Sequence, residues 1–117
     1  MQDVFDALKG ILARHADRLV VAVDEPGHYS LDTRHVMPNG KTLWFGAVRL
    51  GKRYVAYHLM PIYVDATLSA SVGEALSTRR QGKSCFNFRA VDEALFAELA
   101  DLTARGLDDY GRRGYVD

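Results

Sequence analysis

The residues best equipped for chemistry sit in two short stretches. YVAYHLMPIY, residues 54–63, sets His58 and Met60 among three tyrosines in an otherwise apolar run, and KSCFNFR, residues 83–89, carries Cys85 and Asn87. Imidazole, thiol and thioether serve as soft metal donors, and the first two also serve in covalent and acid–base catalysis. Each has a plainer use: a free cysteine packs as a small hydrophobe, and a histidine can sit satisfied within a sheet. A catalytic thiol needs an activating base and a group to orient that base, and none adjoins Cys85 in the sequence. His15, His28 and His35 are scattered, and no pair of residues has the spacing of a zinc motif. Gly82-Lys83-Ser84 matches only the tail of a phosphate-binding loop and precedes a predicted strand, not a helix. An enzyme using Cys85 or His58 therefore ranks below a binding role.

Composition narrows the class. A chain of 117 residues fits one domain with a single core and needs no disulfide. Lys plus Arg number 15 and Asp plus Glu number 15, so no net long-range field favours nucleic acid or an anionic membrane, and neither is expected as a partner. Two local basic groups, Arg49-Lys52-Arg53 and Arg79-Arg80-Lys83, read as solvated edges. Cys85 is the only cysteine, which suits a reducing compartment. The start MQDVFDALKG lacks the basic character of a secretion signal, and no run approaches the roughly 20 apolar residues of a membrane span. The expectation is a cytoplasmic protein.

The elements that must position these residues follow from periodicity. DVFDALKGILARHADRLV repeats apolar residues at helical spacing, with Asp3 as N-cap and with Asp3 and Asp6 at the positive end of the helix dipole. LVVAVD, HYSLDTR, TLWFGAVRL and RYVAYHLM read as strands, and Pro61 ends the last of them. TLWFGAVRL and RYVAYHLM form a hairpin turning at Gly51-Lys52, with Gly51 at positive φ. That turn sets Phe45 opposite His58 and Ala47 opposite Ala56. One face would then carry Tyr54, His58 and Met60 beside Leu43 and Phe45. Residues 65–81 are irregularly helical. KSCFNFR is a strand with Phe86 and Phe88 on one face and Cys85 and Asn87 on the other, about two strands from His58. A closing helix spans 93–105, capped by Asp92 and ended by Gly106 in a left-handed cap, with a loose tail at 107–117.

This order predicts a two-layer α+β sandwich: an antiparallel sheet of about five strands with the N- and C-terminal helices on one face. The chain is a single domain, 1–117, with its core at 3–106. Trp44, Phe45, Tyr57, Phe86, Phe88 and Phe96 supply the aromatic core. The uncovered face is expected to bind a small ligand or a protein partner, which could be a second copy in a homodimer. Its candidate residues are Tyr54, His58, Met60, Cys85 and Asn87. Periodicity alone leaves open whether Tyr54-His58-Met60 or Val55-Tyr57-Leu59 points outward.

GKTLWFGAVRLGKRYVAYHLMP and QGKSCFNFRAVDEALFAELADLTARG contain a recognisable sequence of features. An aromatic strand, a turn, a strand ending in proline, a variable helix, a Gly-Lys-led strand with alternating phenylalanines and a closing helix resemble the YdhG-like family of bacterial domains. That family is similar in fold to frataxins. The resemblance implies, as an alternative function, intracellular iron binding and delivery through a ridge of carboxylates. The positions it implies here are Asp3, Asp6, Asp17, Asp24 and Glu25.

Overall fold

The computed structural model describes residues 1–117. Its strands are β1 (Val20–Glu25), β2 (His28–Val36), β3 (Thr42–Leu50), β4 (Val55–Leu59), β5 (Arg80–Gln81) and β6 (Cys85–Phe88). They form one sheet in the order β1-β2-β3-β4-β6-β5, with every neighbouring pair antiparallel. Helix α1 (Gln2–Ala13) precedes the sheet. Three short helices, α2 (Met60–Val64), α3 (Ala66–Ala70) and α4 (Glu74–Ser77), carry the chain from β4 to β5, and α5 (Glu93–Arg112) follows β6. The expected α+β sandwich is present, with a sixth strand of two residues at one edge.

Side-chain alternation places the helices on one face. Along β4, Val55, Tyr57 and Leu59 have no solvent exposure while Ala56 and His58 retain some. The same pattern runs through β6, where Phe86 and Phe88 are buried and Cys85 and Asn87 are half-buried. On α1 the stripe Val4, Phe5, Leu8, Ile11 and Leu12 is buried against this inner face. Ile62, Leu68 and Leu76 bring the short helices into the same core. The strand set Val55-Tyr57-Leu59 thus points inward and His58 outward.

Several boundaries differ from those the sequence suggests. Helix α1 starts after Met1, so Asp3 lies in its first turn and is not its cap. It stops at Ala13, and a 3-10 turn at Ala16–Arg18 leads into β1. The β3–β4 connection is a four-residue loop: Leu50 pairs with Val55, and the Gly51 amide donates to the Tyr54 carbonyl at 2.9 Å. Gly51 is not among the positive-φ residues, and His58 pairs with Ala47, two residues from the expected register. Met60 begins α2 and packs against the core, off the outer face.

The largest difference is at the C-terminus. Asp92 caps α5 as expected, accepting from the Leu95 amide at 3.1 Å. Gly106 does not end the helix, because its role is close packing: an added Cβ would lie 2.9 Å from Pro61 Cβ. The helix continues to Arg112, and Leu107, Tyr110 and Val116 are core residues, so 107–117 is no loose tail. Tyr110 donates to the Trp44 carbonyl at 3.0 Å and meets the Phe45 ring edge-on at 5.7 Å.

Buried between α5 and β4, the Tyr57 and Thr103 hydroxyls lie 2.6 Å apart. Thr103 gives its one proton to the Leu99 carbonyl at 2.7 Å, so Tyr57 is the donor between them. Removing the donor should be cheaper than stranding it. In urea unfolding, Tyr57→Phe is expected to cost about 1 kcal/mol and Thr103→Val about 1–3 kcal/mol. Gly106→Ala is expected to destabilise as well. The gain of about 1 kcal/mol in helix propensity is outweighed by overpacking against the rigid Pro61 ring, which costs about 1–3 kcal/mol.

Candidate functional site

The outer face is organised by one irregularity in β3. Leu31 pairs with Gly46 and the next residue, Asp32, pairs with Trp44, so Phe45 is an extra residue on β3, a β-bulge. Across the bulge the side-chain alternation changes phase. Phe45 turns into the core beside Tyr110, and Trp44 turns outward, where its indole lies 5.7 Å from the His58 ring. Leu43 and Phe45 are therefore buried inside and not beside His58, and Trp44 is not a core residue. The signal for the bulge is Gly46, whose missing Cβ would fall 2.8 Å from the His58 carbonyl and 3.0 Å from the Leu12 side chain.

Cys85 is closer to His58 than the sequence suggests. Strand β6 pairs directly with β4, His58 opposite Cys85 and Ala56 opposite Asn87. Cys85 Sγ lies 3.8 Å from His58 Nε2 and 3.6 Å from Asn87 Oδ1. Trp44, His58, Cys85 and Asn87 thus form one continuous outer patch. Tyr54, in the loop before β4, is 40% exposed and borders two adjoining hollows. The first, about 430 Å³, is walled by Arg49, Lys52 and Arg53. The second, about 370 Å³, is walled by Arg79, Arg89 and Asn87.

Electrostatics keep the central pair neutral. Burial lowers the His58 pKa, and the nearby Arg49 guanidinium lowers it further. Burial also pushes the Cys85 thiol above its ordinary value. At neutral pH the pair is thiol and imidazole, not the thiolate–imidazolium couple of a cysteine nucleophile. Asn87 faces the sulfur, and no hydrogen bond from it orients the imidazole. The arrangement can donate, accept and stack.

The acids implied by the family resemblance are spread over α1, the 3-10 turn and β1. Asp3 lies 3.7 Å from the terminal ammonium, Asp6 accepts from Gln2 at 2.9 Å, and Asp24 pairs with Lys9 at 3.0 Å. Asp17 sits in the 3-10 turn and Glu25 ends β1. No group of three or more His, Cys, Asp or Glu side chains converges as metal ligands. The chain matches no family model, no curated protein and no solved structure.

Trp44 is the only tryptophan, so its emission reports on His58 directly. A protonated imidazole quenches a nearby indole, and the His58 pKa is below 6.5. Fluorescence should fall with acid at a midpoint below 6.5, and the step should vanish in His58→Gln. Linkage has the same sign: the unfolded chain takes up this proton first, so His58 stabilises the fold above pH 6.5 and loses that contribution as pH falls through its folded-state value. Alkylation of Cys85 by iodoacetamide should be slower than that of a free thiol at about pH 7, with its rate rising at a pH above the ordinary thiol range.

Proposed function

We propose that this chain is a non-catalytic binding domain whose recognition surface is the helix-free face of its sheet, taking a small ligand or a protein partner. One observation carries the reading. Every helix packs on the inner side, while the outer side presents Trp44, His58, Cys85 and Asn87 half-buried beside hollows that share Tyr54. Binding sites combine such apolar and aromatic surface with a few fixed polar groups. The neutral, unactivated thiol favours binding over covalent chemistry. No helix is long and apolar enough to cross a membrane. Placement in the cytoplasm belongs to the same proposal and rests on the single unbridged Cys85.

Amide chemical-shift mapping tests the reading with a panel of nucleotides, sugar phosphates, amino acids and short peptides. Perturbations are expected to cluster on Trp44, Tyr54, Ala56, His58, Cys85 and Asn87. Perturbations gathered instead in the groove between α1 and α5, around Ile11 and Phe96, would remove the basis for this assignment.

A further inference from the structure

The zero net charge conceals a strong segregation. Residues 33–64 and 75–91 contain no Asp or Glu, yet hold Arg34, Lys41, Arg49, Lys52, Arg53, Arg79, Arg80, Lys83 and Arg89. These two segments supply all of β3, β4, β5 and β6. The carboxylates lie elsewhere, most of them on α1, β1, α5 and the turns beside them. Exposed charges act over about a Debye length, roughly 10 Å at ordinary salt, so a ligand near Tyr54 meets the local cations and not the average, while at the far end Trp44 has Asp32 as its neighbour on β2.

These cations are also free. Arg49, Lys52, Arg53, Arg79 and Arg89 take part in no salt bridge. Arg80 differs: its guanidinium is held by Lys83 O and by Ser69, so it is a structural residue. The five free cations flank the two hollows and surround Tyr54, which is their shared wall. Along β4 the outward positions 56 and 58 stand about 7 Å apart, the strand rise over two residues, and Tyr54 lies in the loop just before the first of them. Rings therefore stand at both ends of this outward run: Tyr54 at the basic end and His58 with Trp44 at the other.

We propose that this surface binds single-stranded nucleic acid, bases stacking on Tyr54 and toward Trp44 and phosphates meeting Arg49, Lys52, Arg53, Arg79 and Arg89. A row of free cations beside spaced aromatic rings on an open face is the combination that a flexible strand of alternating base and phosphate satisfies. The hollows are contiguous and open, which fits an extended ligand better than a lone phosphate. Asn87, with both donor and acceptor, faces the hollow where a base edge would lie. The inference rests on the outer face being the recognition surface and names its ligand.

Fluorescence anisotropy with labelled single strands of DNA and RNA, each about 12 nucleotides long to fit one site of this kind, together with Trp44 emission, provides the test. Binding is expected in low salt, and log K against log salt should be linear. Its slope should be about −2 to −3, the value for three to four neutralised phosphates on a single strand. Tyr54→Ala should weaken binding about tenfold or more and Tyr54→Phe should restore most of it. Arg49→Ala with Arg89→Ala should weaken it and flatten the slope by about 0.7 for each phosphate left without its cation. Arg105→Ala, on α5, should change nothing, and unaltered thermal unfolding verifies that each variant is folded. No binding of either strand at low salt overturns the proposal, as does binding insensitive to these variants or competed equally by polyglutamate. If those strands fail while a mononucleotide or peptide still shifts the outer-face amides, the binding surface stands and its assignment to nucleic acid falls. If strands bind but perturb only residues off this face, both readings fall.

Discussion

Phe45 has no partner on β2 because Leu31 and Asp32 pair with the residues after and before it. That unpaired residue decides which side of the sheet each neighbouring β3 side chain occupies. A strand alternates faces with period two, so an insertion of one reverses the assignment of every side chain beyond it. Before the bulge Trp44 faces outward, and after it Ala47 and Arg49 do; between them Phe45 and Gly46 both belong to the inner side. Had β3 run without interruption, Phe45 would lie beside His58, and the only tryptophan would be in the core.

The inner layer holds this irregularity in place. Gly46 lets the Leu12 side chain of α1 rest on the strand where any Cβ would collide with it. Tyr110, near the end of α5, bonds the Trp44 carbonyl and packs on Phe45, so a helix turn far away in sequence fixes both the bulged residue and its neighbour. Tyr115 extends the same aromatic contact from Tyr110 to His35 on β2. The relay from Tyr57 through Thr103 to the Leu99 carbonyl fastens β4 to the middle of α5. With α5 anchored at two points, the strands bearing His58 and Trp44 hold a fixed spacing.

On the outer layer, chemistry follows from what lies nearby. Partial burial and then Arg49 favour the uncharged form of His58, and burial without a neighbouring cation favours the thiol form of Cys85. Both groups thus rest in their neutral forms, in which they hydrogen-bond and pack. The cationic residues around Tyr54 have no carboxylate to neutralise them, because the segments forming β3 to β6 contain none. The neutral His58 and Cys85 at one end and unpaired cations at the other give the face a polarity that the net charge does not reveal.

The two layers themselves are written in local pattern. Helical stripes in α1 and α5, β-branched and aromatic runs, Pro61 as a strand stop and Asp92 as a cap are local signals, and local backbone preferences suffice to read them. The absence of acids across two segments is equally legible without a fold. Which face each residue occupies emerges only when the elements pack. Both faces of β4 are apolar, so periodicity could not orient it until helices covered one side, and the extra residue in β3 exists only relative to its partner strand. Gly106 reads locally as a helix stop, but in the fold it is the gap that admits Pro61, and the helix runs through it because Leu107 and Tyr110 gain burial beyond it. Cys85 and His58 stand 27 residues apart; their meeting depends on strand order, which long-range packing sets and no local pattern encodes.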